Sequence, residues 1–130
     1  MDRPTVFVVD DDSSIRTAIH RLLDSLRHPV RVFASAEQFI AGTDGQSRGC
    51  LILDVRLPGM SGLQLQQWLA EQGRTLPIIF ITAQDDNATR DAALRQGAAD
   101  YLPKPFDCDH LLASVRRALV PQVPGEKDLP

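Results

Sequence analysis

Cysteine is scarce in these 130 residues: Cys50 and Cys108 are the only two. No CxxC spacing or Cys/His cluster accompanies them, so nothing points to a thiolate metal site, and two reduced thiols are expected. Long apolar runs are also missing, and none could span a bilayer. The first residues, Met1-Asp2-Arg3-Pro4, lack the apolar stretch of a secretory leader, so a cytoplasmic location without membrane attachment is expected. Charge of one sign is not in excess either. A net charge of -3 offers no basic surface to argue for direct nucleic-acid binding by this segment. What remains is 43% hydrophobic and 24% charged residues, an ordinary globular composition, over a length that suits one domain around one core.

Apolar runs alternate with helical patterns five times. Thr5-Val6-Phe7-Val8-Val9 reads as a buried strand, followed by Ile15, Ala18, Ile19, Leu22, Leu23 and Leu26 on one helical face, with Asp12 or Ser13 as its cap. Val30-Arg31-Val32-Phe33 alternates as an edge strand does. Ser35 and Gln38 then form a capping-box pattern ahead of a short helix that buries Phe39 and Ile40 and ends at Gly42. Cys50-Leu51-Ile52-Leu53 is a third apolar run, closed by Asp54. Pro58-Gly59 marks a turn before a helix with Leu65, Trp68 and Leu69 inward and Gly73 as its stop. Ile78-Ile79-Phe80-Ile81 ends at Thr82, an Ala-rich helix runs from about Asn87 to Gln96, and Asp100-Tyr101-Leu102 is the fifth strand. Asp107 can cap a last helix carrying Leu111, Leu112, Val115 and Leu119. A domain over residues 1–120 is expected, with a proline-rich tail or the start of an interdomain linker over 121–130.

Continuously apolar strands alternating with helices imply an α/β fold: a doubly wound, five-stranded parallel sheet of flavodoxin-like order 2-1-3-4-5, with helices on both faces. In such sheets ligands sit beyond the carboxyl ends of the strands. Those ends carry Asp10-Asp11-Asp12, Asp54, Thr82 and Lys104. Carboxylates converging at one rim repel, and a hard cation such as Mg²⁺, with Lys104, would offset them. A nucleophilic carboxylate, a hydroxyl, an ammonium and a metal are the parts that phosphoryl transfer to an oxygen requires. Singly each piece is weak, since acidic residues after a strand often only cap a helix and a strand-terminal Thr is usually structural. Four strand ends delivering the set together are a much stronger signal.

At these residues the segment from Val6 to about Leu119 resembles the receiver domain of two-component response regulators. The matching stretches are Val9-Asp10-Asp11-Asp12, Leu53-Asp54-Val55-Arg56-Leu57-Pro58-Gly59-Met60-Ser61-Gly62, Phe80-Ile81-Thr82-Ala83 and Lys104-Pro105-Phe106. The second stretch and the run up to Lys104-Pro105-Phe106 look most like the FixJ subgroup, whose members usually carry a LuxR-type helix-turn-helix output domain. The resemblance implies that Asp54 is the phosphoacceptor, charged by a sensor histidine kinase. It implies Mg²⁺ held by Asp11, Asp54 and the backbone carbonyl of Arg56, with Asp10 acting through water. Thr82, Lys104 and the backbone N–H of Ala83 would contact the phosphoryl oxygens. Tyr101 takes the switch-aromatic position, and the Lys104-Pro105 bond is expected to be cis. Asp12 is expected to cap the first helix. Homodimerisation on phosphorylation is expected through a face including Ala88, Ala92, Arg95 and Tyr101, with DNA binding left to a C-terminal output domain. Self-phosphorylation and dephosphorylation are the only chemistry expected.

One stretch departs from the subgroup. Many relatives have Gly-His-Gly-Asp after the threonine, where this chain has Ala83-Gln84-Asp85-Asp86. Arg56 and Gln84 are candidates for setting the dephosphorylation rate, against the plainer reading of two solvated loop residues. Other readings remain: a haloacid-dehalogenase-like phosphatase, from Asp10-x-Asp12; a flavodoxin-like electron carrier, disfavoured by three aspartates where a flavin phosphate would sit; and a receiver fold serving only as a scaffold.

Overall fold

The computed structural model describes residues 4–45, 48–83 and 86–120. Its strands are β1 (Thr5–Val9), β2 (Val30–Phe33), β3 (Gly49–Asp54), β4 (Ile78–Thr82) and β5 (Asp100–Pro103). Its helices are α1 (Ser13–Leu23), α2 (Ala36–Gly42), α3 (Gly62–Glu71), α4 (Asn87–Arg95) and α5 (Cys108–Leu119). The sheet is parallel throughout in the order β2-β1-β3-β4-β5, as the alternating apolar runs imply. The proline-rich stretch over 121–130 lies outside the described residues, as do Gln84 and Asp85.

Side chains alternate across a strand, so each apolar run feeds two cores. Phe7, Val9, Leu51, Leu53 and Phe80 face α2, α3 and α4, where Phe39, Leu65, Leu69 and Ala93 meet them. Val6, Val8, Ile52, Ile79 and Ile81 face α1 and α5, packing on Ile19, Leu23, Leu111 and Val115. The central strands are buried on both faces, which is why they read as continuous rather than alternating hydrophobics. Edge strand β2 keeps Arg31 and Val32 exposed.

Each cap named from sequence is made. Asp12 accepts from Ser14 N–H at 2.8 Å and Asp107 from His110 N–H at 3.1 Å. Ser35 Oγ accepts from Gln38 N–H, although the Gln38 side chain reaches back to Ala34 N–H rather than to the cap residue. A complete capping box starts α3, between Ser61 and Gln64. Two expectations need correction. Ala18 is exposed, because α1 packs through Ile19 and Leu23 and turns Ala18 away. Leu26 is not on α1: the last turn tightens into a 3₁₀ segment, Asp24–Leu26, which Arg27 ends in the left-handed conformation. Ile40 and Trp68 are half-buried.

Candidate functional site

Sheet register sets the site. Val9 pairs with Leu53, Leu53 with Phe80, and Thr82 with Pro103, so β1, β3, β4 and β5 end at one rim. Asp10, Asp54, Thr82 and Lys104 therefore arrive together although they span 95 residues of chain, counted from 10 to 104. Asp10 and Thr82 are fully buried and Asp54 is 4% exposed. Burying two carboxylates is costly unless they are paired, and a merely structural core would fill these positions with apolar side chains.

The pairing comes from Lys104. Its Nζ donates to Asp10 Oδ2 at 2.8 Å and to Asp54 Oδ2 at 3.2 Å. The Lys104–Pro105 peptide bond is cis, and the Lys104 N–H donates to the Thr82 carbonyl at 2.6 Å. Asp10 is held further by Asp12 N–H on its Oδ1, while Arg16 of α1 donates to its backbone carbonyl at 2.8 Å. Asp54 Oδ1 accepts from Arg56 N–H at 3.1 Å. Burial and the neighbouring Asp10 charge push the Asp54 carboxyl above its usual range, against the pull of the Arg56 N–H and Lys104. Burial works against the Lys104 charge, but Asp10 and Asp54 outweigh it and its ammonium is held more firmly than usual.

Asp10, Asp11 and Asp54 each bring a carboxylate oxygen within 4.8 Å of the other two. Three anionic oxygens so close, with the Lys104 ammonium bonded to Asp10 and Asp54, fit a hard divalent cation bound through oxygen. Asp11 is exposed and borders a cavity of about 500 Å³ shared with Arg56, Ser61 and Thr89, so the acidic cluster is open to solvent.

The loop after Asp54 is pinned from several sides. Val55 N–H donates to the Ile81 carbonyl, and Gly62 N–H to the Val55 carbonyl. A Cβ on Gly62 would collide with the Asp54 carbonyl oxygen, so only glycine lets α3 start this close to Asp54. From α2, Glu37 accepts Met60 N–H at 2.9 Å, and that bond lowers its carboxyl from the ordinary range. Sequence reasoning missed Glu37 and Arg16, because neither lies in a strand-end motif. Asp10, expected to reach a metal through water, is the nearer partner of Lys104.

Tyr101 lies on β5 with its ring 6.3 Å from that of Phe80 and the Arg90 guanidinium 5.8 Å above it. It is only 2% exposed, so the surface patch expected from Ala88, Ala92, Arg95 and Tyr101 loses its aromatic member. Arg90 covers the ring instead. Ala83 is exposed, and its neighbour Gln84 lies outside the described residues. Asp12 is exposed and engaged in capping α1, so the Asp10-x-Asp12 reading as a phosphatase motif finds no support here. Among the described residues no helix is long and apolar enough to cross a membrane.

Comparison with known proteins agrees with this arrangement. The family model for the response regulator receiver domain matches residues 6–116. The chain is 46% identical over 115 residues to the transcriptional regulatory protein TdiR of Thauera aromatica, covering 88% of this chain and 51% of TdiR. Its fold superposes on the response regulator StyR with a TM-score of 0.84 at 43% identity, covering 90% of this chain and 59% of that one. On FixJ-N the TM-score is 0.83 at 32% identity, covering 95% and 98%. The chain thus spans about half the length of TdiR. With its five-stranded sheet, its acidic rim and a family match over most of its length, the chain belongs to the response regulator receiver domains of two-component signal transduction, with FixJ among its relatives.

Proposed function

We propose that this receiver takes a phosphoryl group onto Asp54 from a phosphohistidine of a sensor kinase and thereby switches its α4–β5 face. The observation that carries the reading is the position of Asp54, a buried carboxylate bonded to Lys104 and clustered with Asp10 and Asp11. In the transfer, an Asp54 oxygen bonds to phosphorus as the phosphorus–nitrogen bond to the imidazole breaks, and the imidazole leaves with the bonding pair. A carboxyl whose proton affinity is raised by burial and Asp10 is a better oxygen nucleophile than an exposed one. Lys104 would exchange its bond to Asp54 for one to a phosphoryl oxygen, and Thr82 and the Ala83 N–H would hold the others. Asp11, Asp54 and the Arg56 carbonyl would hold Mg²⁺, with Asp10 linked through water; when bound, the ion neutralises charge on the transferring group.

Phosphorylation adds close to two negative charges beside carboxylates already in repulsion. Lys104 and Thr82 would be drawn to the new oxygens; Thr82 ends β4 ahead of α4, and Lys104 follows the last residue of β5. The proposed readout is homodimerisation through the α4–β5 face, followed by control of transcription through a C-terminal output domain. Arg56 and Gln84 would tune how long the phosphoryl group survives. Intact-mass spectrometry after incubation with acetyl phosphate and Mg²⁺ tests the core of the proposal. A single adduct, abolished by EDTA and by Asp54→Asn, is expected. A wild-type chain with no adduct after a fast quench would leave a scaffold as the better reading.

A further inference from the structure

Helix α4 is thinly held. Ala93 is its one buried residue, and Leu94 on the same turn is 42% exposed. Against that background a buried amide stands out. Gln66 of α3 is 3% exposed, and its Nε2 donates to the Ala93 carbonyl at 3.0 Å. The acceptor fixes the orientation of the amide, because only the NH₂ group can face a carbonyl. The amide's other end, Oε1, is buried without a hydrogen-bond partner among the described residues.

A leucine or methionine at this position would pack at less cost. An unpaired buried carbonyl is unfavourable, and the Ala93 carbonyl already accepts from Ala98 N–H at 3.1 Å, so stability of α4 alone does not require Gln66. What the amide adds is direction: a bond from the rigid α3, anchored by Leu65 and Leu69 in the core, to one carbonyl of the loosely packed α4.

We propose that Gln66 is a positioning residue that holds α4 in the placement seen here and so sets how readily the α4–β5 face responds when Asp54 is occupied. This rests on the reading of Asp54 as phosphoacceptor. Moving α4 breaks the Nε2 bond, which makes the bond a threshold for switching. Its removal lowers that threshold, so the acceptor site binds a phosphoryl mimic more tightly by linkage.

The test is a titration with beryllofluoride at saturating Mg²⁺, followed by backbone amide NMR. In Gln66→Met the apparent dissociation constant should fall about 2- to 10-fold, the range of one net hydrogen bond. Gln66→Leu should shift it the same way despite its different shape, and neither should melt below wild type. Leu65→Ala, a purely structural lesion, should lower the melting temperature without tightening binding. A second readout needs no variant: the Gln66 side-chain amide protons should be protected in the free wild type and exchange faster with beryllofluoride bound. Unchanged or weaker binding in both Gln66 variants, or protection that persists in the bound state, overturns the proposal. Wild type that fails to bind beryllofluoride would instead overturn the phosphoacceptor reading.

Discussion

Removing the charge from Asp54 should make the metal-free protein more stable. Lys104 Nζ lies 3.2 Å from Asp54, an attraction of about 5 kcal/mol at an effective dielectric of about 20. Asp10 and Asp11 have carboxylate oxygens within 4.8 Å, and taken at that limit each repels it by about 3.5 kcal/mol on the same scale before screening. Solvent reduces the term from exposed Asp11 by roughly half, which leaves attraction and repulsion nearly balanced. Burial then decides the sign, in agreement with the raised Asp54 carboxyl. In Asp54→Asn the shape is kept, and one amide oxygen can still accept from Lys104 or Arg56. The variant should gain about 1 kcal/mol, a rise of about 3–5 °C in midpoint for a domain of this size. Differential scanning calorimetry in EDTA measures it. Saturating Mg²⁺ should then reverse the order, since an ion at about 100 times its dissociation constant adds about 2.7 kcal/mol to wild type and little to the variant. If Asp54→Asn is the less stable protein in EDTA, or if Mg²⁺ stabilises both equally, the electrostatic account of the site is wrong.

Lys104→Met strands two buried carboxylates, and urea denaturation without metal should show a loss of about 2–4 kcal/mol. Gly62→Ala forces a methyl group against the Asp54 carbonyl; it should cost about 1–3 kcal/mol in the same assay and slow labelling by acetyl phosphate. Burial raises the Cys50 thiol from 9.0 to about 12. The unfolded chain therefore ionises first, and stability should fall above pH 9 by about 1.4 kcal/mol per pH unit until the native thiol titrates. Comparison with Cys50→Ala isolates this slope, because the difference between the two proteins should be flat below pH 9.

Much of this fold can be read from the chain. The apolar runs at Val6–Val9, Leu51–Leu53 and Ile78–Ile81 are continuous because both faces of those strands are buried, and that identifies a parallel sheet. The rim residues followed, since chain order and topology alone bring Asp10, Asp54, Thr82 and Lys104 to one edge. Details that depend on helix rotation or side-chain reach did not. Ala18 fits the apolar spacing of α1 yet faces solvent, because a small side chain contributes too little area to fix the rotation. Gln66 sits between two leucine positions and looks like a surface residue until α4 is placed over it. Glu37 looks like an ordinary first-turn acid, and its bond to Met60 spans 23 residues. Tyr101 could be assigned to β5 from sequence, but its burial beneath Arg90 depends on where α4 lies.

The central claim is that Asp54, and no neighbouring carboxylate, carries the phosphoryl group. Borohydride reduces an acyl phosphate to an alcohol, which marks the acceptor permanently. Wild type treated with acetyl phosphate and Mg²⁺, reduced, digested and mapped by tandem mass spectrometry should show homoserine in place of Asp54 alone. Homoserine at Asp10 or Asp11, with Asp54 untouched, would contradict the account.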